Sequence, residues 1–197
     1  MLPANSASSF PIPALFLRPD DRLTSDLLDY ERGGIAINDP SGGLDVQDWM
    51  CWYENLEVAV SPVDGIRQVL FARAGVSQLS FSFDQNMRPV VVFVQDGTTY
   101  LWWYDTLAAA HVFTSFGTEM RTPRVTLDDR RLATSSTSDV IFAYIRFDAG
   151  TNSHALCYRQ QRDRYTVEQV LRTGLSAKTR LKSIGVSSNL RLQFELS

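Results

Sequence analysis

The sequence has no hydrophobic run long enough to cross a membrane. Its longest uncharged apolar stretch runs from Phe10 to Leu17, whereas a membrane helix needs about 20 apolar residues. No basic residue precedes Arg18, although a secretory signal carries positive charge near its start. We therefore expect neither membrane insertion nor secretion through a signal peptide.

Cysteine and histidine are scarce, with two of each. Cys51 and Cys157 lie far apart, each within an apolar or aromatic run. This setting is typical of reduced, buried thiols made in a reducing cytoplasm, and a disulfide between the two is the alternative. His111 and His154 have no second ligand at zinc spacing. The sequence thus predicts no metal site and no cofactor.

No catalytic signature is present. The sequence lacks a Gly-x-Ser-x-Gly elbow, a protease-type cysteine motif and a glycine-rich phosphate loop. The adjacent acids Asp20-Asp21 and Asp128-Asp129 fall in polar turn segments, where Asp hydrogen-bonds the backbone. We therefore expect no catalytic residues and a protein that is not an enzyme.

Charge of one sign is concentrated at each end of the chain. Residues 1–60 carry three Arg and ten acids, net −7, while residues 121–197 carry eleven Arg, two Lys and seven acids, net +6. Such asymmetry suits ends that meet within one subunit or between neighbours, although solvated faces give the same pattern. The overall net charge of −3 argues against a nucleic-acid partner.

The sequence of residues 1–44 predicts an extended arm with a short helix. Pro3, Pro11 and Pro13 disfavour a helix or central strand, and one short helix is expected over residues 24–30. An apolar arm that cannot bury itself covers another surface. Its partner-contact residues are therefore expected to be the large apolar ones, Phe10, Ile12, Leu15, Phe16 and Leu17.

From residue 45 to 197 the sequence predicts a β-repeat domain. Leu79–Phe83 alternates apolar and polar side chains, and Val90–Val94 is rich in β-branched residues. Asp96-Gly97 is a two-residue hairpin signal; Thr98–Tyr104 then returns, and His111–Phe116 is a fourth strand. Together they predict a four-stranded antiparallel unit.

The unit recurs along the chain, with second strands that start at Val90, Val140 and Leu190, fifty residues apart. The second copy is predicted at Pro123–Leu127, Val140–Ile145, Ser153–Tyr158 and Tyr165–Leu171. The third, incomplete copy is predicted at Thr179–Ser183 and Leu190–Leu196, and an earlier one at Trp49–Tyr53, Leu56–Val60 and Arg67–Ala72.

A repeat of fifty residues that contains four strands indicates an all-β fold of propeller-like repeats, with a β-sandwich as the alternative. About three and a half units are present, fewer than the usual four or more blades. The ring would then be closed by N-terminal segments that pair with the last half-unit, or completed by other chains.

Two groups of residues are candidates for contacts. Trp102 and Trp103 are consecutive, so in a strand they point to opposite faces of the sheet. Both are core residues if both faces are covered. If a face is left open, the tryptophans are the candidate glycan contacts. Arg159, Arg162 and Arg164 cluster near a predicted hairpin tip and could bind an acidic neighbour, such as the N-terminal third of another subunit.

Several of these segments resemble strand pairs of virion structural proteins of tailed bacteriophages. The resemblance covers roughly residues 78–175 and lies in Phe83-Asp-Gln-Asn-Met-Arg-Pro-Val-Val-Val-Phe93 with Tyr100-Leu-Trp-Trp-Tyr-Asp105, and in Val140-Ile-Phe-Ala-Tyr-Ile145 with Cys157-Tyr-Arg-Gln-Gln-Arg-Asp-Arg-Tyr165. Sialidase-type propellers share the strand rhythm, but their Ser-x-Asp-x-Gly-x-Thr-Trp box is absent.

The resemblance implies a non-enzymatic component of a phage tail or head-to-tail assembly. Its expected partners are further copies of itself in a ring and other virion proteins, and its expected location is the virion tail after synthesis in the host cytoplasm. The alternative is a glycan-binding β module that holds a host receptor through Trp102 and Trp103. A glycan hydrolase built on a propeller is a third, weaker alternative.

Overall fold

The chain is described by a computed structural model over residues 18–19, 31–37, 46–62, 65–84, 86, 88–128, 139–186 and 192–197. Within these ranges the fold is all-β, with a single 3₁₀ helix at Gln161–Asp163 and no α-helix. No helix in these ranges is long and apolar enough to cross a bilayer.

The strands form four antiparallel sheets that follow one another along the chain. The first sheet contains β1 (Arg18–Pro19), β2 (Glu31–Ile37), β3 (Val46–Glu54), β4 (Glu57–Pro62) and β5 (Gln68–Ala72); the second contains β6 (Val76–Phe83), β7 (Pro89–Gln95), β8 (Thr98–Asp105) and β9 (Ala110–Gly117); the third contains β10 (Met120–Leu127), β11 (Val140–Asp148), β12 (Ser153–Gln160) and β13 (Gln169–Leu175); the fourth contains β14 (Leu181–Val186) and β15 (Leu192–Leu196). In each sheet the spatial order of the strands is their order in the sequence.

The second sheet confirms the predicted four-stranded unit. Between β7 and β8, Asp96 and Gly97 have φ of 49° and 81°, the left-handed conformations that a tight hairpin turn demands and that glycine adopts without strain. The turn sets Gln95 opposite Thr98 and thereby fixes the register of the two central strands. The β-branched run in β7 is buried on both faces of the sheet.

The third sheet differs from the prediction at its last strand. A strand was expected at Tyr165–Leu171, but β13 begins only at Gln169. Arg164 and Tyr165 have positive φ, 51° and 57°, which breaks an extended strand. The Tyr165 ring is buried against Trp103, with 5.1 Å between ring centroids. Burial of this ring in a turn explains the later start of the strand.

The first sheet includes residues from the segment predicted to be an arm. β1 pairs with β2, and β2 pairs with β3. The rest of residues 1–44, including the helix expected over 24–30, lies outside the described residues, so the arm and its boundary at residue 44 stay predictions. The strand predicted from Leu56 begins at Glu57, because Asn55 and Leu56 have positive φ and form the hairpin turn.

Neighbouring sheets pack face to face, so the second sheet is covered on both sides. On one face, Phe71 of the first sheet contacts Phe93 and Trp102, with ring centroids 5.2 and 5.1 Å apart. On the other face, Tyr165 contacts Trp103. The two consecutive tryptophans therefore belong to two different intersheet contacts.

The third sheet is likewise buried on both faces. Phe142, Tyr144 and Cys157 join the large core that includes the second sheet. Ile141, Ala143, Ile145 and Leu156 form a separate cluster with β14 and β15 of the fourth sheet. Alternate residues of β11 thus enter two different cores, as the two-residue period of a strand requires.

One strand of each sheet lies beside a strand of the next: β2 in the first sheet, and the first strand of each later sheet. β2 contacts β6, β6 contacts β10, and β10 contacts β14, while β1 of the first sheet contacts β14 of the fourth. Between β6 and β10, the buried Ser80 hydroxyl accepts the Val125 N–H at 3.0 Å. The first and last sheets are therefore in contact as well as the sequential pairs.

Candidate functional site

The end of β12 and the residues just after it carry the three arginines singled out in the sequence. This stretch consists of the end of β12, the 3₁₀ helix and the two positive-φ residues Arg164 and Tyr165. We call residues 159–165 the arginine segment. The side chains of Arg162 and Arg164 are more than half exposed, at 60% and 53% of their surfaces.

Arg164 connects the arginine segment to the second sheet. Its guanidinium donates to the carboxylate of Asp105, the last residue of β8, which is almost fully buried. Asp105 also accepts the Leu107 N–H at 3.0 Å. Burial raises the pKa of this carboxyl, but the Leu107 N–H and Arg164 outweigh burial and hold the pKa below its usual value. Asp105 therefore stays ionised beside its arginine.

Arg162 binds Asp139, the residue before β11. The buried Asp139 carboxylate accepts the Arg162 backbone N–H at 2.9 Å and lies 3.2 Å from the guanidinium Nε. The Asp139 N–H donates to Asp128 Oδ1 at 2.8 Å. Burial and the nearby charge of Asp128 raise the Asp139 pKa to about 6, against the opposing effect of Arg162. This pairing joins the arginine segment to Asp139 before β11 and, through it, to Asp128 after β10.

Arg159 lies deeper, on the face of the third sheet that meets the second. Its Nε donates to the Tyr144 hydroxyl at 2.8 Å, and its Nη1 donates to the carbonyls of Tyr165 and Thr166 at 2.9 and 3.0 Å. Its Nη2 lies 3.5 Å from Glu168. Arg159 thus holds the turn of the arginine segment against the sheet.

Glu168 is the centre of this polar cluster. It accepts the Tyr144 hydroxyl, and its other oxygen accepts Arg146 Nε at 2.8 Å. Burial raises the Glu168 pKa, but the hydrogen bonds from Arg146 and Tyr144 lower it below the usual value. Burial and the negative charge of Glu168 raise the Tyr144 pKa. The cluster therefore consists of the Glu168 carboxylate, two arginines that balance its charge, and the uncharged phenol of Tyr144.

The same surroundings decide the chemistry of Cys157. Burial and the charge of Glu168 raise the pKa of this thiol to about 11, so it is protonated at neutral pH. A protonated, buried thiol is a poor nucleophile. Cys51 is also buried, and the two cysteines are reduced thiols rather than a disulfide, as predicted.

The acidic partners of the three arginines belong to the same chain. The sequence suggested an acidic neighbour in another subunit, such as residues 1–60, but Arg159, Arg162 and Arg164 are paired with Glu168, Asp139 and Asp105. Sequence analysis did not single out these three acids or Tyr144.

Trp102 and Trp103, the alternative glycan contacts, are core residues with 8% and 4% of their surfaces exposed. Trp102 is stacked on His111 at 4.1 Å between ring centroids, and the Trp103 Nε1–H donates to Thr114 Oγ1 at 3.0 Å. A sugar that stacks on an indole needs an open ring face. The burial of both side chains therefore argues against a glycan platform at these two residues.

The remaining candidates are not brought into a site. Phe10, Ile12, Leu15, Phe16 and Leu17 lie outside the described residues, as do Asp20, Asp21 and Asp129. His154 packs on Phe147 with 5.6 Å between ring centroids, whereas His111 stacks on Trp102. Among the described residues, no group of three or more His, Cys, Asp or Glu side chains could hold a metal ion.

No family model, curated protein or solved structure matches this chain.

Proposed function

We propose that this chain is a non-enzymatic structural component of a bacteriophage tail or head-to-tail assembly, which works through ring-like oligomerisation and docking to other virion proteins. The resemblance over residues 78–175 suggests the class of particle. The observation that carries the proposal is the exposure of apolar side chains on the last strands of the four- and five-stranded sheets.

These last strands, β5, β9 and β13, are sheet edges among the described strands. Val69 on β5, Phe113 on β9, and Val170 and Leu171 on β13 each expose between two fifths and about half of their surface. A strand edge presents unpaired N–H and C=O groups and is a template for pairing with another chain. Apolar side chains beside such an edge would be covered when a neighbouring subunit docks.

We further propose that the four sheets are propeller-like blades. This arrangement is supported by the contacts of β2 with β6, β6 with β10 and β10 with β14, and by the contact between β1 and β14. Rigid units that are buried on both faces would give a subunit whose shape does not change on assembly, which suits a ring.

The proposal is tested by the oligomeric state of the purified protein and of an edge variant. Val170→Lys with Leu171→Lys places two charges on the β13 edge at half-exposed positions. We expect the wild-type protein to form rings in negative-stain electron micrographs and to sediment as an oligomer. The double variant should sediment as a folded monomer.

Leu107→Lys is the matched control, because Leu107 is an exposed apolar residue in a turn rather than on an edge. It should leave the oligomer intact. A wild-type protein that stays monomeric at every concentration would contradict the proposed ring, and an oligomer that survives both variants would place the interface elsewhere than β13.

A further inference from the structure

Arg121 lies near the start of β10, and its guanidinium is held by two uncharged acceptors. Its Nη1 lies 3.2 Å from the Nε2 of His154 and donates to the Ala177 carbonyl at 2.8 Å. A guanidinium can only donate hydrogen bonds, so the Nε2 of His154 is the acceptor and this imidazole is uncharged. The two hydrogens of Nη1 are thereby both used. The Arg121 guanidinium is fixed in place, and no carboxylate cancels its charge there.

The other edge of this guanidinium, formed by Nε and Nη2, has no partner among the described residues. Arg146, in the same sheet, shows what such an edge can hold. Its Nη1 donates to the Phe147 carbonyl at 3.0 Å, while its Nε and Nη2 lie 2.8 and 2.7 Å from a carboxylate oxygen of Glu168. Both arginines thus donate to a carbonyl through Nη1, but Arg146 has a carboxylate at its opposite edge.

An irregularity in the pairing of β10 with β11 follows Arg121 immediately. The register shifts between Arg121 and Arg124, and Thr122 has φ of 46°, a left-handed conformation that is rare for a β-branched residue. The Thr122 hydroxyl accepts the Leu181 N–H at 2.9 Å, which ties this part of β10 to β14. A bulge of this kind redirects a side chain and is common beside binding sites. The backbone therefore holds Arg121 in a defined position, although the residue is exposed.

The chain that passes beside Arg121 is basic. Residues 169–182, from β13 through the loop to β14, carry four basic residues and no acid. The four are exposed, and they are Arg172, Lys178, Arg180 and Lys182. The adjoining turns contain the acids Glu119 and Asp148, and Asp148 accepts the Gly150 N–H at 3.2 Å and the Thr151 hydroxyl at 2.8 Å. The excess of positive charge around Arg121 favours an anion at this position.

We propose that the Nε–Nη2 edge of Arg121 binds an oxyanion with two adjacent oxygens, that is, a carboxylate or a phosphate group. The planar fork of a guanidinium matches the spacing of these oxygens and donates two parallel hydrogen bonds to them. His154 and the Ala177 carbonyl are positioning groups, because they hold the fork through Nη1. This inference concerns a single chain and does not depend on the proposed function.

NMR of inorganic phosphate tests the site, because the signal of a small ion can be followed whatever the size of the protein. The phosphorus signal should broaden when the wild-type protein is added, and excess phosphate should saturate the effect at an ionic strength kept constant with chloride. Arg121→Lys keeps the charge but removes the fork, so we expect the affinity for phosphate to fall at least about tenfold. Arg172→Lys, at an exposed position of β13, is the matched control and should bind as the wild type does.

The positioning role of His154 is tested by two substitutions. His154→Ala removes the acceptor that holds Nη1 of Arg121 and should weaken phosphate binding. His154→Gln supplies an amide oxygen that can accept the same N–H, so it should restore binding. A glutamine variant that binds as weakly as the alanine variant would contradict this role.

Acetate as a competitor distinguishes the two sources of the oxyanion. Displacement of phosphate by acetate would support a site that takes carboxylates, such as an acidic side chain, and failure of acetate to compete would support a site for phosphate groups. No saturable broadening, equal affinity of Arg121→Lys and the wild type, or equal losses in the two lysine variants would overturn the proposal. Circular dichroism of each variant would show that the chain is folded.

Discussion

The guanidinium of Arg164 binds the buried carboxylate of Asp105, 59 positions earlier in the sequence, across the boundary between the third and second sheets. Asp105 ends β8, and Arg164 lies in a turn with positive φ. A carboxylate buried at a sheet boundary needs a partner, because removal from water is costly for an unpaired charge. This pair therefore fixes the arginine segment onto the neighbouring sheet.

Arg164→Ala should lower the melting temperature, because it leaves the Asp105 carboxylate buried without its arginine. The control is Arg67→Ala, which removes the pair between Arg67 and Glu57, with 2.6 Å between their charged atoms and both side chains more than a third exposed. An exposed pair contributes about 0–1 kcal/mol. Thermal unfolding followed by circular dichroism would compare the two, and an Arg164 variant no less stable than the control would contradict the role of Asp105.

Reversing Arg159, Arg162 and Arg164 to Glu should destabilise the monomer itself. Each change would place a carboxylate beside Glu168, Asp139 or Asp105, the acids that these arginines now neutralise. If these arginines instead bound an acidic neighbouring subunit, the reversal would weaken an oligomer and leave the melting temperature of the monomer unchanged. The control is a second triple variant that makes the same change in net charge at exposed positions: Arg172→Glu, Lys178→Glu and Arg180→Glu. Melting temperature and sedimentation velocity of both triple variants would separate the two expectations.

Asp139 should make the protein more stable as the pH falls from 7 to 4. Its pKa is raised to about 6 from an ordinary 3.8, so the folded state binds the proton first and is favoured by protonation in this window. A shift of about two pKa units corresponds to roughly 2–3 kcal/mol at most. Asp105 and Glu168, whose pKa values are lowered, act in the opposite direction: the stability that they contribute is lost mainly as the pH falls below about 5.

Asp139→Asn removes this titration and is the comparison that isolates it. The free energy of unfolding of the wild type, measured by urea denaturation and taken relative to the Asn variant, should rise as the pH falls through 6. A constant difference between pH 7 and pH 4 would show that the Asp139 carboxyl titrates normally.

Ser80→Ala should lower the free energy of unfolding by about 1–3 kcal/mol, the cost of leaving a buried donor without an acceptor. The Ser80 hydroxyl accepts the N–H of Val125, and both residues are fully buried. Ser115→Ala on the exposed edge strand β9 is the control and should change the free energy by less than about 0.5 kcal/mol. Equal urea midpoints for the two variants would mean that this contact between β6 and β10 is not formed.

Local signals were enough to predict the second sheet. Alternation in β6, the β-branched run in β7 and the Asp96-Gly97 turn are each encoded within a few residues, so no distant contact was needed to recognise them. The error at β13 has the opposite origin. Tyr165 and the residues that follow it have strand propensity, but the burial of Tyr165 against Trp103, 62 positions away, outweighs it.

The candidate site could be predicted only in part for the same reason. The three arginines stand out because they are close together in the sequence. Their partners Asp105 and Asp139 lie 59 and 23 positions away, on elements whose relative placement depends on how the sheets stack. Periodicity along one strand carries no information about that stacking.

Every sheet is made from one continuous piece of the chain, since strand order within each sheet follows the sequence. A ribosome that releases the chain from its N-terminus would thus release complete hairpins in succession, and the second sheet, residues 76–117, could form before the third is synthesised. The sheet formed by β14 and β15 would follow the third. Its arrival would bring β14 to β1, so these two strands, one from the first sheet and one from the fourth, would meet only after the intervening sheets have been synthesised.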